Sequence, residues 1–249
     1  MKTLQSDRRN IGTIMRVFFR SLLINASWNY SKMQNIGFAY AIAPAQARVE
    51  NKSAFFLRHT ESFSTNVYMA GLIIASVLNR EETCRGAEAQ YLKQSLAGPY
   101  AALGDPFFWG SLRPLCSVLA VGVVAAVGCS SLAALIPALV AYNLVQGYIR
   151  TKGFAEAYRD GTGATDFLKR FAMPGTADRL RWLSIVLLAV TAGGWLSLSP
   201  CGMSEAGFKL IIAPGGAALC LACFWLVRKR VPMPVILYGM TVLLFFAAW

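Results

Sequence analysis

The sequence is poor in the side chains that build metal centres and active sites. Its 249 residues contain one histidine, His59, and 12 acidic residues against 24 basic ones. The six cysteines show no zinc-ligand spacing with histidine, and the chain carries no Walker loop, no paired acids at metal spacing and no nucleophile motif. We therefore expect no catalytic residue, no metal and no cofactor in this chain, and we interpret His59 as a surface or interface residue. Cys220 and Cys223 form a C-x-x-C pair, interpreted as small buried thiols, with a redox or metal pair as the alternative.

Long uncharged stretches, in contrast, are abundant. Hydrophobic residues make up 56% of the chain and the mean hydropathy is +0.48, which is too apolar for an ordinary soluble domain. Residues 114–149 carry no charge; one helix of that length, about 54 Å, exceeds a bilayer core of about 30 Å. We expect that helix to break at Gly128–Ser131 or near Pro137. Further apolar segments lie at 62–79, 182–203, 210–227 and 231–249.

These segments predict an all-α integral membrane protein with about five to six membrane helices or hairpins, since roughly 20 apolar residues cross a bilayer. The first half is expected to contain re-entrant or broken helices, and the chain to end in a C-terminal transmembrane hairpin. The segment 62–79 is long enough to span, but one arm of a re-entrant hairpin is the alternative. The predicted divisions are a basic amphipathic arm, a membrane core, a cytoplasmic loop and the C-terminal transmembrane helices, at 1–60, 61–150, 151–181 and 182–249.

The N-terminal arm is expected to begin with an amphipathic helix over 7–23. One face carries Ile11, Met15, Phe18 and Leu22, and another carries Arg9, Arg16 and Arg20. Such a helix lies on the cytoplasmic membrane surface or packs against a partner subunit, and both remain open. Basic residues interrupt every apolar run before Gly37, so we expect no signal peptide.

Basic residues also predict the orientation. They outnumber acids in 150–181 and recur at Arg228, Lys229 and Arg230. Short basic segments stay in the cytoplasm. We therefore expect a multi-pass protein of the cytoplasmic membrane, with the N-terminus inside and the C-terminal Trp249 outside.

The stretch Gly98–Pro114, GPYAALGDPFFWGSLRP, is the most unusual of the chain. Asp105 before Pro106 is typical of a helix start, and Pro114 is expected to end the same helix. A helix this short cannot span, which favours a re-entrant element. Asp105, Trp109 and Arg113 would share a face, and Asp105 is expected to pair with Arg113. This pair either shapes a transport pathway or subunit interface, or only fixes the fold.

Amide side chains and aromatic rings cluster between residues 25 and 47. Trp28, Tyr30, Phe38 and Tyr40 are aromatic residues of the kind found at membrane interfaces, and Asn25, Asn29, Gln34 and Asn35 are amides. Amides suit a site for sugar hydroxyls, but they also cap helices and bond neighbouring backbone. The same two alternatives hold for Asn66 and Tyr68.

Four strings in one order resemble the IID membrane subunit of the mannose/fructose/sorbose family of bacterial phosphotransferase systems. They are RVFFRSLLINASWNYSKMQNIGFAYAIAP, RHTESFSTNVYMAG, GPYAALGDPFFWGSLRP and WLVRKRVPMP, at 16–44, 58–71, 98–114 and 225–234. Three features depart from the family pattern: Asn25 replaces a common glutamine, Val67 replaces a proline, and 199–209 is short. The first two changes bear on substrate specificity, and the last is interpreted as a trimmed extracytoplasmic loop.

The resemblance implies a subunit that pairs with a IIC membrane subunit, with assembly into a trimer of IIC–IID heterodimers. With IIC it would translocate a hexose inward, coupled to phosphorylation by a phosphohistidine on IIB, which IIA recharges. The chain would not be catalytic alone but part of a protein–phosphohistidine–sugar phosphotransferase complex, in contact with membrane lipids and with no nucleic acid. The candidates for the sugar pathway or subunit interface are Trp28, Asn29, Gln34, Asn35, Asn66, Tyr68, Asp105, Trp109 and Arg113.

Two other functions remain open. The first is a scaffold or regulatory relative that has kept the fold without transporting, which the departures at Asn25 and Val67 permit. The second is a stand-alone sugar transporter. The chain is short for that role and shows no internal repeat of its own.

Overall fold

The computed structural model describes residues 2–48, 51–83, 86–127, 135–162 and 164–198, together with ten positions between 222 and 241. In this described part the backbone is mostly helical, and β-structure is limited to isolated bridges at Met33 with Asn29 and with Phe63. The elements are α1 (Lys2–Ser21), α2 (Asn35–Ile42), a 3₁₀ segment (Ala43–Arg48), α3 (Lys52–His59), α4 (Ala70–Glu82), α5 (Gly86–Gly104), a π-helical segment (Asp105–Leu112), α6 (Arg113–Val127), α7 (Ile136–Asp160), α8 (Thr165–Phe171) and α9 (Met173–Leu198).

Helix α4 lies at the centre of the core. Its residues from Ala70 to Leu78 are buried on every side except at Gly71, as expected for a helix that other elements surround. It packs against α1, α2, α5 and α7. Its 13 residues reach only about 20 Å, short of a bilayer core. Of the two alternatives for 62–79, this length favours an element that does not cross the membrane on its own.

Helix α4 approaches α7 closely along most of its length. At Gly153 of α7 an added Cβ would lie 2.8 Å from the Leu72 side chain, so the absence of a side chain there sets the helix separation. The C-terminal ends are tied together as well: Asn79 donates to the Tyr158 carbonyl and Arg80 to the Gly161 carbonyl. Gly161 ends α7 with φ +62, a left-handed conformation that glycine adopts without strain.

Helix α1 is amphipathic, as the sequence predicts, but Phe18 does not lie with the other apolar residues assigned to its outer face. Ile11, Met15 and Leu22 are exposed. Phe18 is half-buried and its ring meets Phe154 of α7 edge-on at 5.2 Å. Phe19 takes its place on the exposed apolar stripe, with 58% of its surface accessible. Helix α1 therefore has one face in the core and a second apolar face that is open.

Helices α5 and α6 join through the π segment, and this corrects the helix boundaries expected from the prolines. Asp105 does not begin a new helix, since Gly104 before it is still α-helical, and Pro114 does not end one. The Arg113 N–H donates to the carbonyl of Phe108, five residues earlier. The two prolines lie at the ends of the π segment, where the register of backbone bonds already changes. The predicted short re-entrant helix is therefore part of a longer helical rod.

The rod consists of α5, the π segment and α6. Among the described residues, its stretch Gly86–Val124 is long and apolar enough to cross a membrane, with a mean hydropathy of 1.6 in its most apolar window. The total of about five to six membrane helices or hairpins stays a prediction. The predicted break at Gly128–Ser131, the pair Cys220 and Cys223, and nearly all of the segments 210–227 and 231–249 lie outside the described residues. Pro137 is the second residue of α7, which begins at Ile136, so a helix boundary lies near Pro137, as one of the two predicted alternatives has it.

The chain divides into two compact units, Met1–Thr191 and Ala192–Trp249. The first contains the single large core, built from α1 to α7 with α8 and the start of α9. The second unit includes the C-terminal end of α9, and it is described only at isolated positions beyond residue 198. All the site geometry below belongs to the first unit.

Candidate functional site

The non-helical segment 60–69 is tied to the π segment by one side-chain hydrogen bond. Asn66, which is 3% exposed, donates from Nδ2 to Asp105 Oδ1 at 2.7 Å. Its own Oδ1 accepts from the Tyr68 N–H at 3.0 Å, a local turn that asparagine favours. Gly104 permits this approach, because an added Cβ would lie 2.6 Å from the Asn66 Cβ. Asn66 therefore positions Tyr68 against the π segment.

Asp105 does not pair with Arg113, contrary to expectation. No ion pair joins them among the residues that the structure describes, and each has another partner. Arg113 lies over the Trp109 ring, 5.3 Å from its centroid. An arginine above an indole face is stabilised by the negative charge of the π system without an acid. The shared face itself is present, since Asp105 contacts Asn66 while Trp109 contacts Tyr68.

Aromatic side chains cluster around Tyr68 beside this face. The Tyr68 ring lies 4.5 Å from Phe108 and 5.6 Å from Trp109, centroid to centroid. The Tyr142 hydroxyl, from α7, donates to the Tyr68 hydroxyl at 2.7 Å. Tyr68 thus connects the 60–69 segment, the π segment and α7.

Arg150 supports Tyr68 from another side. Its guanidinium lies 4.7 Å from the Tyr68 ring centroid and donates to the Val67 carbonyl at 3.2 Å. Tyr142, Gln146 and Arg150 recur at every fourth residue of α7, so they share one helix face. Sequence reasoning missed Tyr142 and Arg150, although this polar spacing within an apolar helix is a signal that points to them.

A cleft of about 520 Å³ opens between these side chains. Tyr68, Trp109, Arg113 and Tyr142 line it at one end. Its remaining lining comes from two helices, with Cys116, Ser117 and Ala120 on α6 and Leu135, Ala138 and Leu139 at or near the start of α7. Cys116 is buried.

The amides of the first loop are bonded within the protein. Gln34, 4% exposed, donates to both Asn25 Oδ1 and the Thr65 carbonyl and accepts from the Thr65 N–H. Asn35 donates to the Thr60 carbonyl and accepts from Asn29. These bonds fasten the loop after α1 to the 60–69 segment.

Trp28 and Tyr30 project from the same loop. Their rings meet edge-on at 5.2 Å, and 47% and 89% of their surfaces are exposed. A second aromatic cluster, distinct from the cleft, is therefore presented on a loop that the amides hold in place.

His59 is a core residue and not the surface or interface residue expected. It is fully buried between Phe38 and Phe55, and its Nε2 lies 3.1 Å from Glu81 Oε1. Burial lowers the pKa of His59, so the ring is neutral and donates its Nε2 hydrogen to the carboxylate. Burial also opposes ionisation of Glu81, but hydrogen bonds from His59 and Arg58 outweigh it and lower the pKa of Glu81. Local sequence does not reveal this burial, because Phe38 of α2 and Glu81 of α4 are distant from His59 in the chain.

A buried lysine completes this cluster. Lys93 of α5 is fully buried, and its Nζ donates to the carbonyls of Arg58, His59 and Glu61 at 3.1 to 3.2 Å. The carbonyls at a helix C-terminus have no partners within the helix and carry partial negative charge. Lys93 therefore caps α3 from a neighbouring helix. Within the described part, no group of three or more metal-binding side chains occurs.

The chain matches the family described as PTS system mannose/fructose/sorbose family IID component, over residues 10–249. It is similar to the PTS system mannose-specific EIID component of Escherichia coli K12, with 30% identity, covering 97% of this chain and 92% of that protein. It is similar also to the PTS system sorbose-specific EIID component of Klebsiella pneumoniae, with 26% identity over 76% of this chain and 71% of that protein.

Two solved structures are similar over almost the whole chain. One is a chain from the complex of the mannose transporter ManYZ with microcin E492, with a TM-score of 0.56, 26% identity and 95% coverage of both chains. The other, described as a membrane protein, has a TM-score of 0.68 and 26% identity, covering 95% of this chain and 96% of that one.

Proposed function

The chain belongs to the mannose/fructose/sorbose IID family of the phosphotransferase system, and from this premise we propose that it pairs with a IIC membrane subunit to translocate a hexose inward. It is thus an EIID component, a membrane protein that forms part of a bacterial sugar transporter complex. In the proposed reaction phospho-IIB phosphorylates the sugar as it arrives in the cytoplasm. This chain supplies scaffold and part of the route, while the transferred phosphoryl group comes from the phosphocarrier subunits.

The observation that carries this proposal is similarity along the whole chain to a subunit of a sugar transporter. The match to the ManYZ chain covers 95% of both sequences, so it includes the first core as well as the C-terminal unit. The relatives' names support a hexose, since the E. coli relative is named for mannose. The proposed assembly is a trimer of IIC–IID heterodimers, multi-pass, with the N-terminus in the cytoplasm and the C-terminus outside.

Two exposed clusters are the proposed surfaces for the sugar route or the IIC contact. The first is Trp109 and Arg113, both exposed on the rod beside Tyr68. The second is Trp28 and Tyr30. Exposed aromatic and arginine side chains on rigid supports are typical anchors of protein interfaces.

The remaining candidates have supporting roles in this proposal. Gln34, Asn35 and Asn66 are buried and bonded to the protein itself, and Asn29 and Asp105 bond to two of them. Their hydrogen bonds hold the exposed clusters at fixed positions. The same internal bonding favours, as the second candidate function, a scaffold or regulatory subunit, because amides used in this way do not need a sugar.

Co-expression with a IIC subunit encoded nearby tests the proposal. The complex is purified through a tag on this chain, and phosphorylated IIB is added with a panel of hexoses. We expect a stable complex that forms sugar 6-phosphate. A stable complex that phosphorylates none of the hexoses would support the scaffold function, and a chain that purifies alone and transports free sugar would overturn the proposal.

A further inference from the structure

The polar end of the cleft offers hydrogen-bond donors with few competing acceptors. Arg113 contributes a guanidinium and Trp109 an indole N–H. Tyr142 uses its proton on the Tyr68 hydroxyl, so the proton of Tyr68 remains to be donated elsewhere. Among the described residues that line the cleft there is no carboxylate and no side-chain amide. A neutral sugar needs acceptors as well as donors, so of the two roles proposed for Trp109 and Arg113 this end favours the subunit contact over the sugar route, and it suits a group of acceptor oxygens.

Charge at this end is positive and uncompensated. Arg113 lies on Trp109, and Arg150 lies on the opposite partner, Tyr68. In the part of the chain that the structure describes, neither arginine forms an ion pair with an acid. Asp105, the predicted partner of Arg113, is hydrogen-bonded to Asn66 instead. Cations at membrane depth are costly when unpaired. Arg113 lines the cleft, whereas Arg150 lies outside its lining, against the Tyr68 ring, so an anionic group in the cleft would pair with Arg113.

The other end of the cleft is apolar, and the change is graded along both helices. On α6 the lining runs from Arg113 through Cys116 to Ala120, and on α7 from Tyr142 through Leu139 to Leu135, the residue just before the helix. The two ends of each run are seven residues apart in sequence, about 10 Å along a helix. The two helices pack together, Tyr142 and Trp109 both contact Tyr68, and both runs line the same cleft, so both lead away from the arginine in the same direction. The cleft therefore has a cationic end that is rich in hydrogen-bond donors, and from there it continues as an apolar trough between α6 and α7.

We propose that this cleft binds an anionic phospholipid, with the phosphodiester at Arg113 and Trp109 and an acyl chain between α6 and α7. An amphiphile is the one occupant that matches both ends: a free phosphate or a sugar phosphate would leave the apolar trough unfilled. The unpaired Arg113 in the cleft, with Arg150 against the neighbouring Tyr68 ring, favours an anionic headgroup over a zwitterionic one. In the proposed orientation Arg150 opens the basic cytoplasmic segment, which places the lipid in the inner leaflet. The inference does not depend on sugar transport.

Native mass spectrometry of the tagged chain, purified with its membrane partners, tests this binding. The probe is dioleoylphosphatidylglycerol, titrated against lipid-depleted protein, with dioleoylphosphatidylcholine in parallel. Arg113→Gln keeps a polar side chain that can donate a hydrogen bond, though a shorter one, and removes the charge. We expect its affinity for phosphatidylglycerol to fall about tenfold, because a charge-assisted bond to phosphate is lost. The matched control, Arg179→Gln, alters an exposed arginine of α9 and is expected to bind as the wild type does.

A second variant and a competitor separate the two ends of the cleft. Ala120→Phe fills the trough without changing charge, and we expect it also to lower retention of phosphatidylglycerol. A hexose 6-phosphate or inorganic phosphate at millimolar concentration is expected not to displace the lipid. Displacement by either would assign the site to a free phosphate and overturn the proposal. Equal phosphatidylglycerol binding by wild type, Arg113→Gln and Ala120→Phe would overturn it as well.

Discussion

Buried polar side chains in this protein stabilise the core through hydrogen bonds that replace those they would form with water. Lys93 is the clearest case, since a fully buried ammonium contacts three backbone carbonyls and the faces of Phe38 and Phe63. Burying a charge is unfavourable unless such partners are present. The residue therefore fixes where the end of α3 meets α5.

Replacing Lys93 by methionine tests this role. Methionine keeps the apolar stem but leaves three buried carbonyls without their donor, and we expect a destabilisation of about 3 kcal/mol. The measurement is the apparent melting temperature of the purified complex. Lys152→Met on α7 is the control, because Lys152 is exposed and its loss should change little. Equal melting of the two variants would contradict a capping role.

The neutral state of His59 gives a prediction for pH. Because burial lowers the pKa of His59 from 6.5 in the folded protein, the unfolded chain takes up the proton first as the pH falls. The stability from this residue is complete above pH 6.5 and declines below it, by at most about 1.4 kcal/mol per pH unit.

We expect His59→Gln, whose amide can still donate to Glu81, to remove that decline between pH 6.5 and 5.5. Melting temperatures across this range, with the wild-type partner subunit in both samples, provide the measurement. No other residue of this chain titrates as histidine, and the pKa of Glu81 lies below 4.5, under the tested window. Parallel profiles for the two proteins would show that His59 is not buried in the neutral form.

The sequence predicts an element well where a local pattern, such as helical periodicity, determines it, and poorly where contacts with distant residues determine it. The helix at the N-terminus follows from its periodicity. The prolines at 106 and 114 did not mark helix ends as predicted, because the helical backbone continues through both, Pro106 in the π segment and Pro114 at the start of α6. His59 and the pairing of Asp105 were misjudged for a similar reason: their partners, Glu81 and Asn66, lie 22 and 39 residues away in sequence. Local spacing cannot reveal such contacts.

The hydrogen bond between Asn66 and Asp105 joins the 60–69 segment to the π segment. It can be tested by exchanging the two residue types between the two positions. Asn66→Asp places two carboxylates about 2.7 Å apart, and we expect the yield of assembled complex to fall about tenfold because like charges repel at that separation. Asp105→Asn alone still presents an oxygen acceptor and should assemble. The double variant Asn66→Asp/Asp105→Asn restores one donor and one acceptor with the roles reversed.

Size-exclusion chromatography of the co-expressed complex measures these yields. Recovery by the double variant to near the wild-type yield would establish that the bond acts in the assembled protein. If the double variant is as poor as Asn66→Asp, the two side chains act independently and the contact does not hold the segments together. Sugar phosphorylation by the recovered complex then reports whether the charge of Asp105 is needed beyond assembly.

At the scale of the whole molecule, the exposed surface of the first unit is largely apolar. Leu139, Val140 and Leu144 of α7 are each about half exposed or more, and so are Trp182, Leu183 and Val186 of α9. A soluble monomer rarely exposes so much apolar surface in contiguous patches. These faces fit a protein whose solvent is lipid and whose remaining surface is covered by a partner subunit, in line with its family.

The arrangement of charge across the molecule predicts its orientation, which reporter fusions can test. The segment 150–181 holds Arg150, Lys152, Arg159, Lys169, Arg170, Arg179 and Arg181, and transfer of such a segment across the membrane is unfavourable. We expect green fluorescent protein fused after Gly161 to fluoresce and alkaline phosphatase there to be inactive. After Trp249 we expect the reverse result, because three predicted crossings, at 182–203, 210–227 and 231–249, separate the two positions. Fluorescence at both positions would place the C-terminus in the cytoplasm and contradict the proposed topology of the C-terminal helices.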